Sequence, residues 1–478
     1  MVDAPRLGPF RTQAGRGPAR AIRWTSGTFS SPISMPTDPK PPPLSPLVVA
    51  VEMGYGHLRA AMPLAEGLGT TVTHVDRPPL VAPEEEKLWA RVRGAYELVS
   101  RLSQLPVIGS PLRLLLDGLT DIPRLHPYRD LSAPTRSVIT LDRLIRRNLG
   151  AGLVAKLRET GAPLLTTFYS PAIVADRAGH RRIFCVVTDS DINRIWVPAA
   201  PERTRIQYLV PTRRAARRLL AYGVPEARIT FTGFPLPQAL LGGPALPALK
   251  QNLAARLVRL DPSGEFRREM PEELAHFLGV PLPAEEEGRP PLITFAVGGA
   301  GAQVELARQF LPGFRPLLDA GRIRIALVAG VRPEVEARLR ESVQGARLEG
   351  HLGGALEILR APDFSSYYSQ FNALLARTDA LWTKPSELTF YAALGLPLIS
   401  APPVGVHERY NRRWAREGGA ALKQRDARFA AEWFSDWLAD GLLASAAWAG
   451  YMRLPKFGTY RILEAVAASA GDDAPASP

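Results

Sequence analysis

The sequence predicts an α/β protein with two doubly wound, Rossmann-like domains in tandem and a cleft between them. Three observations support this fold class. Short β-branched runs alternate with helical patterns, the alternation stops near residue 236, and it restarts near residue 291. The chain of 478 residues has room for two such units, since one domain usually holds roughly 100–200 residues.

The first domain is predicted to span residues 47–235. Its strand candidates are short apolar runs bounded by turn residues, which is typical of strands buried in a parallel sheet. They lie at residues 46–53, Val72–Val75, Leu164–Phe168, Ile183–Thr188, Ile206–Val210 and Ile229–Thr232. Helical patterns fall between them, for example at Leu141–Glu159 and Arg213–Tyr222.

The second domain is predicted to span residues 291–445, with strands near 291–297, Arg324–Ala329, Ala380–Trp382 and Leu398–Ser400. Residues 236–290 are predicted to be a linker with a helical insertion, and 446–478 a C-terminal helix with a frayed tail. Residues 1–46 contain ten of the 46 prolines and no periodic apolar pattern. This composition indicates a disordered segment, and the start of translation stays open between Met1 and Met35.

Composition excludes several classes of protein. The single cysteine, Cys185, rules out a disulfide framework and any cluster of thiolate ligands. No apolar run reaches the ~18 residues that a membrane span requires, and no signal peptide is visible, so we expect a cytoplasmic protein. The 59 basic and 46 acidic residues give a net charge of +13. Without a recognised nucleic-acid motif, this excess is interpreted as a solvated basic surface rather than a nucleic-acid interface.

A glycine pair follows the first strand, in Gly54-Tyr-Gly-His57. Gly54 and Gly56 allow a tight turn into a helix, whose free N–H groups favour an anion. His57 would lie at the mouth of the cleft, as a base or a phosphate ligand. The alternative is an ordinary turn in which His57 only caps the helix.

Asp189 follows a later strand of the same domain. It falls at the strand end where ligands bind in open parallel sheets. There it would orient a substrate hydroxyl or His57. An Asx turn or a helix cap is the alternative role for Asp189.

The second domain opens with another glycine-rich turn, which contains Gly298, Gly299 and Gly301. A strand, turn and helix of this kind can hold a phosphate on backbone amides. The turn lacks the Lys-Ser/Thr of a P-loop and the Gly-x-Gly-x-x-Gly spacing, which argues against a standard ATPase or dehydrogenase.

A fourth stretch begins at Lys384-Pro-Ser-Glu and continues through Gly395-Leu-Pro to His407-Glu-Arg-Tyr-Asn411. It resembles the donor half of glycosyltransferases with the GT-B fold, the family that includes the lipid-linked N-acetylglucosaminyltransferase of peptidoglycan synthesis and monogalactosyldiacylglycerol synthase. Gly54-Tyr-Gly-His57, Thr188-Asp189 with Trp196, and Tyr208 through Gly233-Phe-Pro resemble motifs of that family's first half. Together these motifs cover most of residues 47–420.

The resemblance implies transfer of a sugar from a nucleotide sugar, UDP-linked, to a lipid or other hydroxyl acceptor, with inversion. It implies no metal and no cofactor beyond the co-substrate. The resemblance implies that His57 and Asp189 are the catalytic pair and that Gly54 and Gly56 form the acceptor-side loop. The donor-binding residues it implies are Gly298, Gly299, Gly301, Lys384, Ser386, Glu387, Leu388, Thr389, His407, Glu408 and Asn411.

The chain departs from the family pattern at the donor loop. Between Lys384 and Pro397 it is about two residues shorter, and Phe390 stands where the family has a donor-binding glutamate. Glu387 is the nearest substitute, and His407 replaces a glutamine. Two alternatives to a glycosyltransferase therefore stay open: a UDP-sugar 2-epimerase, which shares the fold, and a degenerate protein that only binds a sugar or nucleotide.

Two stretches bear on membranes. Residues Glu84–Leu119 combine apolar residues at helical spacing with basic ones, which suits either a core-facing helix or one lying on an anionic bilayer as a peripheral contact. Arg213, Arg214, Arg217 and Arg218 form like-charged pairs, interpreted first as a solvated face and second as a lipid contact. The identity of the sugar and of the acceptor, and the oligomeric state, are not indicated by the sequence.

Overall fold

The computed structural model of the chain describes residues 45–52, 54–89, 121–284, 289–296 and 303–469. Twelve strands form two sheets within these ranges, and all neighbouring strands pair in parallel. The first sheet contains β1 (Leu47–Ala50), β2 (Thr73–His74), β3 (Leu164–Thr166), β4 (Ile183–Val186), β5 (Ile206–Val210) and β6 (Ile229–Phe231). The second contains β7 (Leu292–Ala296), β8 (Arg324–Gly330), β9 (Leu356–Arg360), β10 (Ala380–Thr383), β11 (Leu398–Ser400) and β12 (Ala421–Lys423).

The strand order identifies where each sheet reverses direction. The first sheet runs β2-β1-β3-β4-β5-β6, so its connections switch sides between β1 and β3. The second runs β12-β11-β10-β7-β8-β9 and switches between β7 and β10. In open parallel sheets, ligands bind outside the carboxyl ends of the strands at such a switch point. The predicted fold class, two tandem doubly wound α/β domains, is confirmed.

Helices connect the strands and cover the faces of both sheets. The α-helices span Tyr55–Gly67, Arg136–Arg146, Ala151–Thr160, Tyr169–Arg177, Arg213–Ala221, Gln238–Leu241, Pro247–Arg259, Glu265–Glu269, Pro271–Leu278, Glu305–Asp319, Pro333–Gly345, Phe364–Arg377, Val406–Glu417, Ala430–Ala439, Leu442–Arg453 and Gly458–Ala468. Strands such as β1 and β7 are apolar and buried, as expected where helices cover both faces of a sheet.

Three elements differ from the sequence prediction. The single helix predicted for Leu141–Glu159 is two helices, because Asn148 and Gly150 adopt positive φ values of 69° and 84°, which end the first helix and begin the next. Strands β9 and β12 were not predicted. Both are short, and each lies at an edge of the second sheet, where burial is one-sided and the apolar signal is weaker.

We refer to the first sheet with its helices as the N-terminal lobe and to the second as the C-terminal lobe. Residues predicted to be a linker form helices whose apolar side chains, such as Leu253 and Leu257, pack into the core of the C-terminal lobe. The last helix, Gly458–Ala468, returns to the N-terminal lobe, where Ile462 and Leu463 pack beside Leu64. The predicted domain boundaries themselves stay predictions.

The amphipathic stretch predicted for Glu84–Leu119 is described only in part. Residues 83–89 are helical, and Trp89 is fully buried in the core of the N-terminal lobe. Its indole N–H donates to Glu85, whose carboxylate also accepts the backbone N–H groups of Gly150 and Gly152. This first part therefore faces the core, and residues 90–119 lie outside the described residues. Among the described helices, none has the length and apolarity to cross a bilayer.

Candidate active site

The first switch point places His57 at the carboxyl end of β1. Gly54 has a φ of 116°, a conformation that side chains disfavour, and it turns the chain from β1 into the helix Tyr55–Gly67. His57 lies in the first turn of that helix. Thr167 and Thr188 follow β3 and β4, the strands next along the sheet. Parallel topology therefore brings three consecutive strand ends together around one imidazole.

The imidazole of His57 is oriented through its Nδ1 atom. Nδ1 lies 2.8 Å from the carbonyl oxygen of Thr167, which can only accept, so Nδ1 carries the proton and donates it. The Thr167 hydroxyl donates in turn to the His57 carbonyl at 2.9 Å, and the Thr188 hydroxyl lies 3.3 Å from Nδ1. With Nδ1 protonated, the lone pair of the neutral ring is on Nε2, the atom that would take a proton.

The surroundings of His57 favour its neutral form. Burial lowers the pKa of His57 below its ordinary value, while Asp189, the Thr167 carbonyl and Glu387 act in the opposite direction and His407 lowers it further. The ring packs edge-on against Phe168, with 4.6 Å between ring centres. Glu387 and His407 belong to the C-terminal lobe. The electrostatic environment of His57 is therefore set by both lobes.

Asp189 lies beside His57, but its hydrogen-bond partner is in the other lobe. The Asn411 side-chain amide donates to Asp189 Oδ1 at 2.9 Å, and Asn411 Oδ1 accepts the Ser190 backbone N–H at 2.8 Å. Asn411 is completely buried. We call these hydrogen bonds the amide interlobe contact. The group that orients His57 is the Thr167 carbonyl, while Asp189 acts on the imidazole through its charge.

Lys384 and Glu408 form an ion pair at the second switch point. Lys384 follows β10, and its Nζ atom lies 2.7 Å from Glu408 Oε1, while Glu408 Oε2 accepts the Val404 backbone N–H at 2.7 Å. Burial raises the pKa of Glu408, but the charge and hydrogen bond of Lys384, together with His407 and the Val404 N–H, outweigh it, and the net pKa is lowered. Glu408 is 2% exposed, and the Gly405 backbone N–H lies 3.5 Å from its Oε2, so its carboxylate is held within the C-terminal lobe.

Glu387 pairs with Arg59 of the N-terminal lobe. Arg59 is buried in the helix Tyr55–Gly67, and its guanidinium donates to both the Glu387 carboxylate and the Tyr367 hydroxyl. The guanidinium also lies 5.4 Å from the ring centre of Tyr55 and 4.9 Å from that of Phe371. We call this cluster the charged interlobe contact.

Gly56 leaves room for the Glu387 carboxylate of the charged interlobe contact. A Cβ atom at this position would stand 2.8 Å from Glu387 Oε2, closer than any ordinary van der Waals contact. The absence of a side chain at Gly56 therefore lets the carboxylate of the opposite lobe approach the backbone of the first helix.

The donor loop after Lys384 is helical for much of its length. Glu387–Leu394 is a 3-10 helix, with Ser386 immediately before it. Leu388 and Thr389 are both buried, and the Thr389 hydroxyl has no hydrogen-bond partner among the described residues. Of the predicted donor residues in this loop, Leu388 contributes packing, since it belongs to the core of the C-terminal lobe.

Phe390 stands where the family pattern has a glutamate, and the structure gives the physical reason. Its ring stacks on Phe234, with centres 4.7 Å apart and planes 6° apart, and also contacts Trp414. Phe390 is 3% exposed. In this shortened loop the position faces the core, where a carboxylate would be buried without a partner.

The predicted donor residues also include the glycine-rich turn after β7 and His407. Gly298, Gly299 and Gly301 lie outside the described residues, although β7 ends at Ala296, directly opposite Thr383 of β10. His407 lies in the first turn of the helix Val406–Glu417, with its ring folded back over Gly405. Of these, only His407 can be placed, in the helix that follows β11 of the second sheet.

Several functional contacts were not predicted from the sequence. Arg59 was not singled out, although a basic residue among the apolar positions Leu58, Ala60 and Ala61 is a signal for a buried ion pair. The interpretation of Arg214 and Arg218 as a solvated face was wrong. Both pair with the fully buried Asp191, and Arg218 is itself completely buried.

The comparisons with known proteins give similarity in structure only. No family model matches the chain, and no curated protein matches it. Among solved structures, the chain is similar to Staphylococcus aureus MnaA in complex with UDP, at 12% identity and a TM-score of 0.48 over 89% of this chain and 96% of that one. It is also similar to a putative UDP-N-acetylglucosamine 2-epimerase from Listeria monocytogenes, at 14% identity, a TM-score of 0.48, and the same shares of the two chains.

A third similar structure is Acinetobacter baumannii MurG, at 12% identity and a TM-score of 0.45 over 88% of this chain and 98% of that one. Similarity at these values assigns no activity to the chain. Among the described residues, no three His, Cys, Asp or Glu side chains come together as a metal site would require.

Proposed function

We propose that the protein is an enzyme that binds a nucleotide sugar, UDP-linked, in the cleft between its lobes and transfers the sugar to a hydroxyl acceptor with inversion. One observation carries this proposal. A neutral imidazole with its lone pair on Nε2 lies at the switch point of the first sheet, and a lysine–glutamate pair lies at the switch point of the second. The lipid nature of the acceptor and a peripheral membrane location stay expectations.

The two ends of the site suit the two halves of the reaction. Transfer from a nucleotide sugar requires a base for the acceptor hydroxyl and positive groups for the departing diphosphate. His57 supplies the base through Nε2, and Lys384 supplies a cation beside the end of β10. We expect Glu408, whose carboxylate is held by Lys384 and the Val404 N–H, to accept hydrogen bonds from the ribose.

Two measurements test the proposal. UDP is titrated into the protein by calorimetry, and release of UDP from a panel of UDP-sugars with hydroxyl acceptors is then followed. His57→Ala should reduce turnover by about 10²–10⁴-fold, the usual contribution of a general base, while UDP affinity stays unchanged. Unchanged turnover in His57→Ala would remove His57 as the base.

His180→Ala is the matched control. His180 is another partly buried histidine whose ring bonds a backbone carbonyl, that of Ala162 at 3.0 Å. It precedes β4, at the edge of the sheet opposite His57. Full turnover in this variant would show that a loss in His57→Ala is not a general effect of removing a histidine.

A UDP-sugar 2-epimerase is the second candidate, favoured by the two interlobe contacts. They bring carboxylates of both lobes, Asp189 and Glu387, into the electrostatic surroundings of His57, and an epimerase needs acid and base groups around one sugar but no acceptor. Incubation with a UDP-sugar in deuterated water decides between the two. Deuterium at C2 without any acceptor supports the epimerase, and acceptor-dependent release of UDP supports the transferase.

A protein that only binds a nucleotide or sugar is the third possibility. The shortened loop after Lys384 and the replacement of the family glutamate by Phe390 motivate it. UDP binding without turnover of any UDP-sugar, with or without acceptors, would support it.

A further inference from the structure

A cavity of about 450 Å³ lies between the lobes, separate from the residues around His57. The N-terminal lobe contributes Asp121, Ile122, Pro123, Arg124 and Arg129 to its lining, and the C-terminal lobe contributes Val406, Arg409 and Tyr410. The Tyr410 hydroxyl donates to the Ile122 carbonyl at 3.2 Å, which ties the two walls together. Both lobes must therefore be in their observed arrangement for the cavity to exist.

Positive charge in the cavity is not neutralised by the protein. Its lining holds three arginines, Arg124, Arg129 and Arg409, against the single carboxylate of Asp121. Among the described residues none of the three arginines makes an ion pair. Neighbouring arginines do: Arg214 pairs with Asp191 and Arg413 with Glu417.

The helix that supplies Arg409 carries further unneutralised charge. Arg412 and Arg416 lie on the same helix, Val406–Glu417. Neither makes an ion pair among the described residues. Burial lowers the pKa of Arg412, and the charges of Arg416 and Arg409 lower it further. Like charges at this spacing repel each other. Arg409 is the one arginine of this row that lines the cavity, so it is the one that an anion bound there would contact.

We propose that this cavity binds a phosphate-bearing anion that bridges the two lobes and stabilises their closed arrangement. Guanidinium groups bind phosphate oxygens in pairs of charge-assisted hydrogen bonds, and here they come from both walls. The cavity is larger than one phosphate group requires, so it suits a diphosphate or a phosphate with an attached group. This inference goes beyond the proposed function and does not depend on it.

The binding test uses inorganic pyrophosphate, which lacks the base and sugar of a nucleotide. The full chain should bind it by calorimetry at low salt, with affinity that falls as salt rises. Arg124→Gln and Arg409→Gln, which alter opposite walls, should each weaken binding by about tenfold, as expected for loss of one charge-assisted contact. Arg416→Gln is the matched control, because Arg416 is on the same helix but outside the cavity lining, and it should bind as the unaltered chain does.

Closure provides a second readout. Small-angle scattering should show a lower radius of gyration with pyrophosphate than without it, and this change should be absent in Arg409→Gln. The inference is overturned if pyrophosphate does not bind, if Arg416→Gln weakens binding as much as Arg409→Gln, or if only one wall of the cavity affects affinity. Lys384→Ala separates this site from the donor site, since it should reduce UDP binding and leave pyrophosphate binding at the cavity intact.

The source of the phosphate is decided by two further probes. Glycerol 3-phosphate represents a soluble ligand, and vesicles of phosphatidylcholine with phosphatidylglycerol represent a lipid headgroup. Co-sedimentation with the vesicles that is lost in Arg124→Gln and Arg409→Gln identifies a lipid headgroup. Binding of glycerol 3-phosphate without co-sedimentation identifies a soluble phosphate compound.

Discussion

The two interlobe contacts join the same lobes by different chemistry. In the charged interlobe contact, the ion pair of Arg59 and Glu387 is surrounded by aromatic rings. In the amide interlobe contact, one neutral side chain, Asn411, satisfies both its donor and its acceptor on the opposite lobe. The first buries two charges at a high desolvation cost, whereas the second buries an amide at a low one.

Because of this difference, breaking the two contacts should affect the protein in different ways. Separating a buried ion pair is unfavourable, because each charge then loses its partner. The charged interlobe contact therefore favours the observed arrangement of the lobes. The amide interlobe contact is cheaper to break, and one of its acceptors is Asp189, whose charge acts on His57. Opening at either contact therefore changes the surroundings of the proposed base, through Asp189 at Asn411 and more weakly through Glu387 at Arg59. Opening at Arg59 has the larger effect on stability.

The largest effect is expected for Arg59→Met. It leaves the Glu387 carboxylate buried without its partner, and the free energy of unfolding should fall by about 3–5 kcal/mol, as for other broken buried pairs. Urea denaturation measures the change. The double variant Arg59→Met/Glu387→Leu should recover most of the loss, because neither charge is then buried alone. A double variant as unstable as the single one would show that the ion pair itself is not what Arg59 contributes.

A smaller effect is expected for Asn411→Ala. It leaves the Ser190 N–H and one acceptor position of Asp189 unsatisfied, and the free energy of unfolding should fall by about 1–3 kcal/mol. Asn411→Asp should cost more at neutral pH, since it places a second carboxylate beside Asp189, and the extra cost should diminish as the pH is lowered. Equal losses in both variants at every pH would indicate that the carboxylate of Asp189 is not near position 411 in solution.

The sequence predicted the strand ends that carry the candidate site better than it predicted the contacts between the lobes. The carboxyl ends of the strands were predicted to carry the site, because the alternation of strands and helices implies a parallel sheet. His57 and Asp189 were singled out on that ground, whereas Lys384 was implied by the resemblance to glycosyltransferases. Which side chain meets which across the lobes was not predictable. Arg59 and Glu387 are 328 positions apart, and Asn411 and Asp189 are 222 apart.

The donor-binding roles of Glu387 and Asn411 stay predictions. The structure adds that each of these residues has a partner on the opposite lobe, which the local sequence pattern did not indicate. Phe390 was noted as a departure from a family motif, and only its stacking on Phe234 explains that the position faces the core. Both depend on how the lobes pack, and a single sequence carries no direct record of that packing.

The smallest predicted effect concerns the titration of His57, which connects the amide interlobe contact to the chemistry. Because burial outweighs the nearby carboxylates, the pKa of His57 should lie below its ordinary value of about 6.5. Between this lowered pKa and about pH 6.5, the folded protein then binds fewer protons than the unfolded chain. The stability that His57 contributes should be fully present above about pH 6.5 and should be lost as the pH falls through the lowered pKa.

Asp189→Asn isolates the charge that acts on His57. Removing that carboxylate should lower the pKa of His57 further, because Asp189 favours the protonated imidazole. Asn411→Ala keeps the charge of Asp189 and removes only its hydrogen bond, so it should shift the pKa less than Asp189→Asn does. The imidazole resonances of His57, followed by NMR as a function of pH, measure both changes. A His57 pKa that rises in Asp189→Asn would mean that Asp189 does not act on the base through its charge, and Thr167 would then be the polar group of the N-terminal lobe that controls it.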